Sequence, residues 1–104
     1  MADVPEVTHN TAAHRFEVNL DGQTAFAEYN LVDHGMILPH TVVPPAFEGR
    51  GVGSALAKAA LGYARDHGLK VIPTCPFIAA YLQKHPSDWR DIVHDTYRTK
   101  LGLG

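Results

Sequence analysis

Between residues 44 and 54 the chain reads Pro44-Pro45-Ala46-Phe47-Glu48-Gly49-Arg50-Gly51-Val52-Gly53-Ser54, and the residues beyond it have the period of a helix. Val52, Ala55, Leu56, Ala59, Ala60, Tyr63 and Ala64 recur at steps of three, four, seven, eight, eleven and twelve. They form one apolar stripe, with Gly68 placed to end the helix in a left-handed conformation. Three glycines within five residues at the entry let the main chain turn tightly with its N–H groups unshielded by Cβ atoms. The helix N-terminus behind them adds roughly half a positive charge. Together these make a phosphate cradle. A glycine turn that merely lets the helix pack close to a sheet has the same local spacing, so both roles stay open.

The segment before the glycines alternates instead. Phe16, Val18 and Leu20 alternate with Arg15, Glu17 and Asn19, and after Asp21-Gly22 the residues Ala25, Ala27 and Tyr29 alternate with Thr24, Phe26 and Glu28. This predicts a β-hairpin on a tight Asp-Gly turn. Asp33-His34-Gly35 breaks the pattern before Met36–Val43, a third strand in which Pro39 cannot donate to a ladder and so demands an edge or a bulge. After the helix, Leu69–Cys75 reads as a short buried strand and Phe77–Lys84 as a second short helix. Residues 1–13 lack a clear period and are expected to be a flexible arm, with a single domain over 14–104. The tail from Ser87, with Trp89, Ile92, Val93 and Tyr97, has no decisive pattern.

Composition bounds the function. A chain of 104 residues with 45% hydrophobic content fits one domain. A formal charge of −2 gives no general attraction to nucleic acid or to an anionic membrane. No stretch is apolar for the roughly 20 residues that span a bilayer, and the start lacks a signal-peptide core, so a cytoplasmic protein is expected. One cysteine, Cys75, excludes an internal disulfide and a multi-cysteine metal site. No two histidines stand at a metal-binding i, i+4 spacing on a helix, and no metal is expected.

Two phosphate motifs fail. Ala55 and Leu56 follow Gly53-Ser54 where a P-loop needs Lys and Ser/Thr, and Leu56 stands where the dinucleotide fingerprint needs its third glycine. The spacing of Gly51 and Gly53 after a strand and before an amphipathic helix instead resembles the acyl-CoA motif [Q/R]-x-x-G-x-[G/A] of the GCN5-related N-acetyltransferases (GNAT). The likeness continues through Ala64-Arg65, Gly68–Phe77, Tyr81 and His85-Pro86, as in small single-domain members. Glu48 stands at the first motif position, where its carboxylate opposes a pyrophosphate and Arg50 supplies compensating charge.

The resemblance implies a reduced GNAT-like α+β fold: an antiparallel meander, the glycine-loop helix, then a strand and a short helix. It implies acetyl-CoA or coenzyme A as co-substrate, with the N–H groups of Gly49, Arg50, Gly51, Val52, Gly53 and Ser54 on the pyrophosphate. The strand around His40, Thr41, Val42 and Val43 would pair with the pantetheine amides. A strand carrying Pro39 and followed by Pro44 is independently expected to splay open, which suits an extended amide-bearing arm.

Three side chains are candidates for the chemistry. Cys75 is either a small buried hydrophobe or a thiol beside the thioester. His40, at the expected bulge, is its best partner, because an imidazole titrating near neutrality can take a proton from an amine or a thiol. Tyr81 matches the tyrosine that many GNAT enzymes use to protonate departing CoA, with core packing as its other role. Direct joining of the first strands through Asp21-Gly22 leaves out the helices that wall the acceptor site of larger members. The acceptor site is therefore expected to be shallow and open, suited to an amine on a protein, a polyamine or another small molecule. The expected activity is N-acetyl transfer from acetyl-CoA. A CoA-binding module without turnover is the alternative, and a cysteine hydrolase is disfavoured because Cys75 has no recognisable orienting Asp or Asn.

Overall fold

Alternation from Arg15 onward produces the expected hairpin, and the strands before and after extend it into a sheet. The computed structural model describes residues 6–20, 22–47 and 51–103. Five strands lie in the order β1-β2-β3-β4-β5: β1 Thr8–Asn10, β2 Arg15–Leu20, β3 Gln23–Val32, β4 Gly35–Val42 and β5 Lys70–Ile72. The first four pair antiparallel and β5 lies parallel to β4, because helix α1 (Val52–Asp66) carries the chain back across the sheet. Asp21 of the expected turn lies outside the described residues, and Gly22 beside it has φ +80.

Part of the expected arm is built into the sheet. Thr8, His9 and Asn10 pair with Glu17, Phe16 and Arg15. Three residues are too few for a period to be read, so tertiary contacts decide their structure. His9 stacks on Phe16 at 4.3 Å between ring centroids and meets the edge of Tyr63 at 4.9 Å. Its Nε2 lies 2.6 Å from the Tyr29 hydroxyl. Burial lowers the His9 pKa below the usual imidazole value, and His67 and His14 push the same way. Burial likewise raises the Tyr29 hydroxyl, with Tyr63 adding to it.

One face of the sheet carries the core. Phe16, Val18, Ala25, Ala27, Tyr29, Met36 and Leu38 are buried against Val52, Leu56, Ala57, Ala60, Leu61 and Ala64 of α1. The buried stripe is rotated from the one read in the sequence: Ala57 and Leu61 go inside, while Ala55 and Ala59 sit at its rim. Alanines at 57, 60 and 64 let the helix lie close to the strands, and each large apolar group buried there contributes about 1.5–3 kcal/mol. The helix ends where Gly68 predicts. Gly68, at φ +66, donates to the Arg65 carbonyl at 3.2 Å and Leu69 donates to Ala64 at 2.8 Å, the paired bonds of a Schellman cap.

Beyond β5, helix α2 (Pro76–Lys84) packs Ile78, Tyr81 and Leu82 into the same core. The tail forms α3 (Pro86–Trp89), a 3-10 turn and α4 (Asp95–Leu101). Val93 bridges to Val71, and Arg65 ties the tail to α1 through the Asp88 carbonyl at 2.7 Å and Asp91 at 2.5 Å.

Candidate functional site

The bulge forced by Pro39 decides which side chains of β4 face the helices. Ladder partners run Asn30↔Ile37 and then Glu28↔His40, so Leu38 and Pro39 together oppose the single residue Tyr29. One extra residue reverses the facing of everything after it. Leu38 is buried on the core side; strict alternation would bring His40 there next, but the bulge hands that place to Thr41, which pairs with buried Ala27. His40 turns to the opposite face, exposed and directly across from Glu28.

Past the bulge β4 also loses one of its neighbours. The register with β5 ends at Ile37↔Ile72, and the Cys75 amide closes onto the Leu38 carbonyl at 2.9 Å. Thr41 and Val42 continue along β3 with no register partner in β5. The splay expected from Pro39 and Pro44 is therefore present.

Where the strands part, a cleft of about 380 Å³ opens, lined by Thr41, Val43, Phe47, Gly51, Val52, Gly53, Ser54 and Phe77. Gly51 caps α1 in the left-handed region at φ 71, ψ 16, and no side chain caps the helix. Its carbonyl accepts the first helical bond, from Ala55 at 3.0 Å. The N–H groups of Val52, Gly53 and Ser54 thus begin the helix without intrahelical acceptors, beside the cleft. No acidic residue lies in this first turn. The amide end of the cleft suits an anion, and Val43, Phe47 and Phe77 suit an apolar arm.

The structure thus brings Thr41, Val43, Gly51, Val52, Gly53 and Ser54 into one place. Val42 turns its side chain to the other face, 44% exposed. Gly49 and Arg50, and Glu48 before them, lie outside the described residues. Cys75 is buried, and its Sγ donates to Oγ1 of the cleft-lining Thr41 at 3.5 Å. His40 and Cys75 are not brought together, since the bulge sends them to opposite sides of the sheet. Tyr81 is buried on α2, with its ring 4.5 Å from that of His85. Among the described residues no group of three His, Cys, Asp or Glu side chains is placed to hold a metal ion. No helix of the described chain is long and apolar enough to cross a membrane.

Two cleft features escape the sequence. Phe77 stands beside Gly53, a contact between residues too far apart for any local pattern. The Thr41–Cys75 bond depends on the bulge having reversed the strand, which only its position between Leu38 and His40 determines.

Known proteins share this architecture. The sequence profile of the GCN5-related N-acetyltransferases matches residues 15–92. The chain is 37% identical over 84 residues to Protein NATD1 of Gallus gallus, which spans 78% of this chain and 76% of that protein. It is also 37% identical over 83 residues to Protein NATD1 of Homo sapiens, spanning 77% and 74%. The solution structure of a GCN5-like protein from Staphylococcus aureus superposes with a TM-score of 0.70 at 30% identity, covering 88% of this chain and 89% of that one.

Proposed function

Because the chain belongs to the GCN5-related N-acetyltransferase family, we propose that its cleft takes acetyl-CoA and that it transfers the acetyl group to an amine acceptor. One observation carries this: the amides that open α1 and the unpaired length of β4 border the same cleft. The amides of Val52, Gly53 and Ser54 face the pyrophosphate, with the masking Cβ absent at Gly51 and Gly53. The backbone of Thr41, Val42 and Val43, free of β5, pairs with the amides of the pantetheine arm. Val43, Phe47 and Phe77 cover that arm and keep water from it.

The acceptor approaches from the uncovered face of the sheet, where His40 and Glu28 stand side by side across the ladder. His40 takes the proton that the amine must shed. The separation of His40 from Cys75 favours direct transfer over an acetylated cysteine, since a thiol nucleophile would lack this base. Tyr81, buried in the core, keeps a packing role. Acceptors fitting an open face include amines on proteins and small polyamines.

Amine-dependent release of free CoA from acetyl-CoA, followed with a thiol reagent against spermidine, polylysine and simple amines, tests the activity. Release that depends on the amine is expected. Binding of acetyl-CoA without release on any amine would favour a CoA-binding module, and no binding would remove the cleft assignment.

A further inference from the structure

Among the described residues eight line the cleft, and two of these, Thr41 and Ser54, carry a polar side-chain atom. Ser54 belongs to the first turn of α1. Thr41 lies on the strand wall two residues before Val43, about 7 Å along the chain at the usual strand rise. A ligand with its anion on the α1 amides and its arm along β4 therefore meets the Thr41 hydroxyl beside the apolar Val43, Phe47 and Phe77 at the splay.

That hydroxyl is already half engaged. Cys75, 4% exposed and not among the cleft-lining residues, donates its S–H to Thr41 Oγ1 at 3.5 Å. An oxygen that has accepted one hydrogen bond still has its own hydrogen to give. Because Thr41 lines the cleft, that hydrogen is available to a ligand held there. Ala27 across the ladder and Leu38 before the bulge are fully buried, so the strand backbone around Thr41 is fixed by the core.

The geometry points to Thr41 as a hydroxyl relay that donates to the sulfur of the acyl thioester and is itself supplied by the Cys75 thiol. This rests on the acyl-CoA reading of the cleft, and it makes Thr41 a catalytic residue and Cys75 a positioning one. As the acceptor nitrogen bonds to the acyl carbon and the carbon–sulfur bond breaks, the bonding pair stays on sulfur. Thr41 passes its proton to that sulfur and takes the proton of Cys75. The proton shed by the nitrogen goes to His40, which releases it to solvent, and Cys75 recovers a proton from solvent, so every group ends as it began. Both ends of the relay are alkyl thiols, and the transfer needs no large driving force.

The test uses the full chain and five variants, Thr41→Val, Thr41→Ser, Cys75→Ser, Cys75→Ala and the double variant Cys75→Ser with Thr41→Val, each checked for cooperative unfolding. Calorimetric titration with acetyl-CoA comes first: a wild-type chain that does not bind it overturns the cleft reading and the relay together. Bound CoA is then titrated by thiolate absorbance in Cys75→Ser, which removes the chain's one cysteine, and in the same background with Thr41→Val. The relay predicts that the bound thiol ionises at a pH lower by roughly half a unit when the Thr41 hydroxyl is present. Coincident titrations overturn the relay and leave the acyl-CoA site standing. In turnover, Thr41→Val is expected to lower kcat roughly tenfold at unchanged KM for acetyl-CoA, with Thr41→Ser restoring it. Cys75→Ser, whose hydroxyl still bonds to Thr41 but is far too weak an acid to hand over its proton, and Cys75→Ala are both expected to lose kcat several-fold. Wild-type kcat in Thr41→Val, or wild-type kcat in both Cys75 variants, would overturn the roles assigned.

Discussion

Phe77 lies so close over Gly53 that a Cβ built on the glycine would stand 2.6 Å from the ring's Cζ. A helix N-terminus and an aromatic ring from the next helix are thereby brought to the edge of one cleft. Gly53 sits inside α1 with no need for a left-handed backbone, so its missing side chain serves that approach.

Gly53→Val is therefore expected to push the ring outward and widen or block the cleft. Phe77 is 40% exposed and can swing, so stability should fall by no more than about 1 kcal/mol. Acetyl-CoA affinity should fall at least about tenfold. Calorimetric titration beside a denaturant melt separates the two effects, and unchanged affinity in the folded variant would remove Gly53 from the site.

Gly51 has a different requirement. A Cβ added there would meet none of the described residues within 4 Å, but the φ of +71 is one that β-branched residues resist. Gly51→Val should cost roughly 1–2 kcal/mol of stability in addition to affinity. Gly51→Asn, which tolerates the left-handed region, should recover most of the stability. A denaturation midpoint for Gly51→Val equal to wild type would contradict the strain.

His40 and Glu28 face each other on the open side of the sheet, so the acceptor's proton should leave by way of His40. His40→Ala is expected to reduce kcat by roughly 10²-fold while acetyl-CoA affinity is unchanged, because the donor lies across the sheet. Undiminished turnover would take His40 out of the mechanism. Loss of acetyl-CoA binding would instead show that the residue supports the cleft.

The His9 anchor makes stability depend on acidity. Its folded pKa is depressed by burial and by His67 and His14, so the unfolded chain holds the proton more readily. The contribution is complete above the unfolded value of about 6.5 and is lost as pH falls through the folded value. Chemical denaturation between pH 7.5 and 5 should show falling stability, with less slope in His9→Gln. Amide exchange in Thr8–Asn10 should rise over the same range; equal slopes in both chains would show that His9 is not the group responsible.

Much of this is legible in the residues themselves. The period-2 runs on both sides of Asp21-Gly22, the stripe from Val52 and the Gly68 stop are local signals, and local signals survive folding. Pro39 likewise announces a bulge. What the sequence does not disclose is the consequence of that bulge, because whether His40 or Thr41 faces inward depends on which residue is skipped opposite Tyr29. His40 and Cys75 are for that reason a pair in the sequence and separate in space. β1 is unreadable for another reason: its three residues are held by pairing to β2, and His9 by rings from β2, β3 and α1, none of them sequence neighbours. The rotated stripe of α1, with Ala57 and Leu61 inside, shows the sheet's shape overriding an equally plausible helical face.

The most direct test of the cleft as an acyl-CoA site is amide-resolved NMR of the full chain titrated with CoA. The amide signals of Val52, Gly53 and Ser54 should shift first and furthest, as N–H groups that acquire a phosphate acceptor do, with Thr41 and Val43 following as the arm settles along β4. Saturable shifts confined to other parts of the chain, with those amides unmoved, would contradict the assignment.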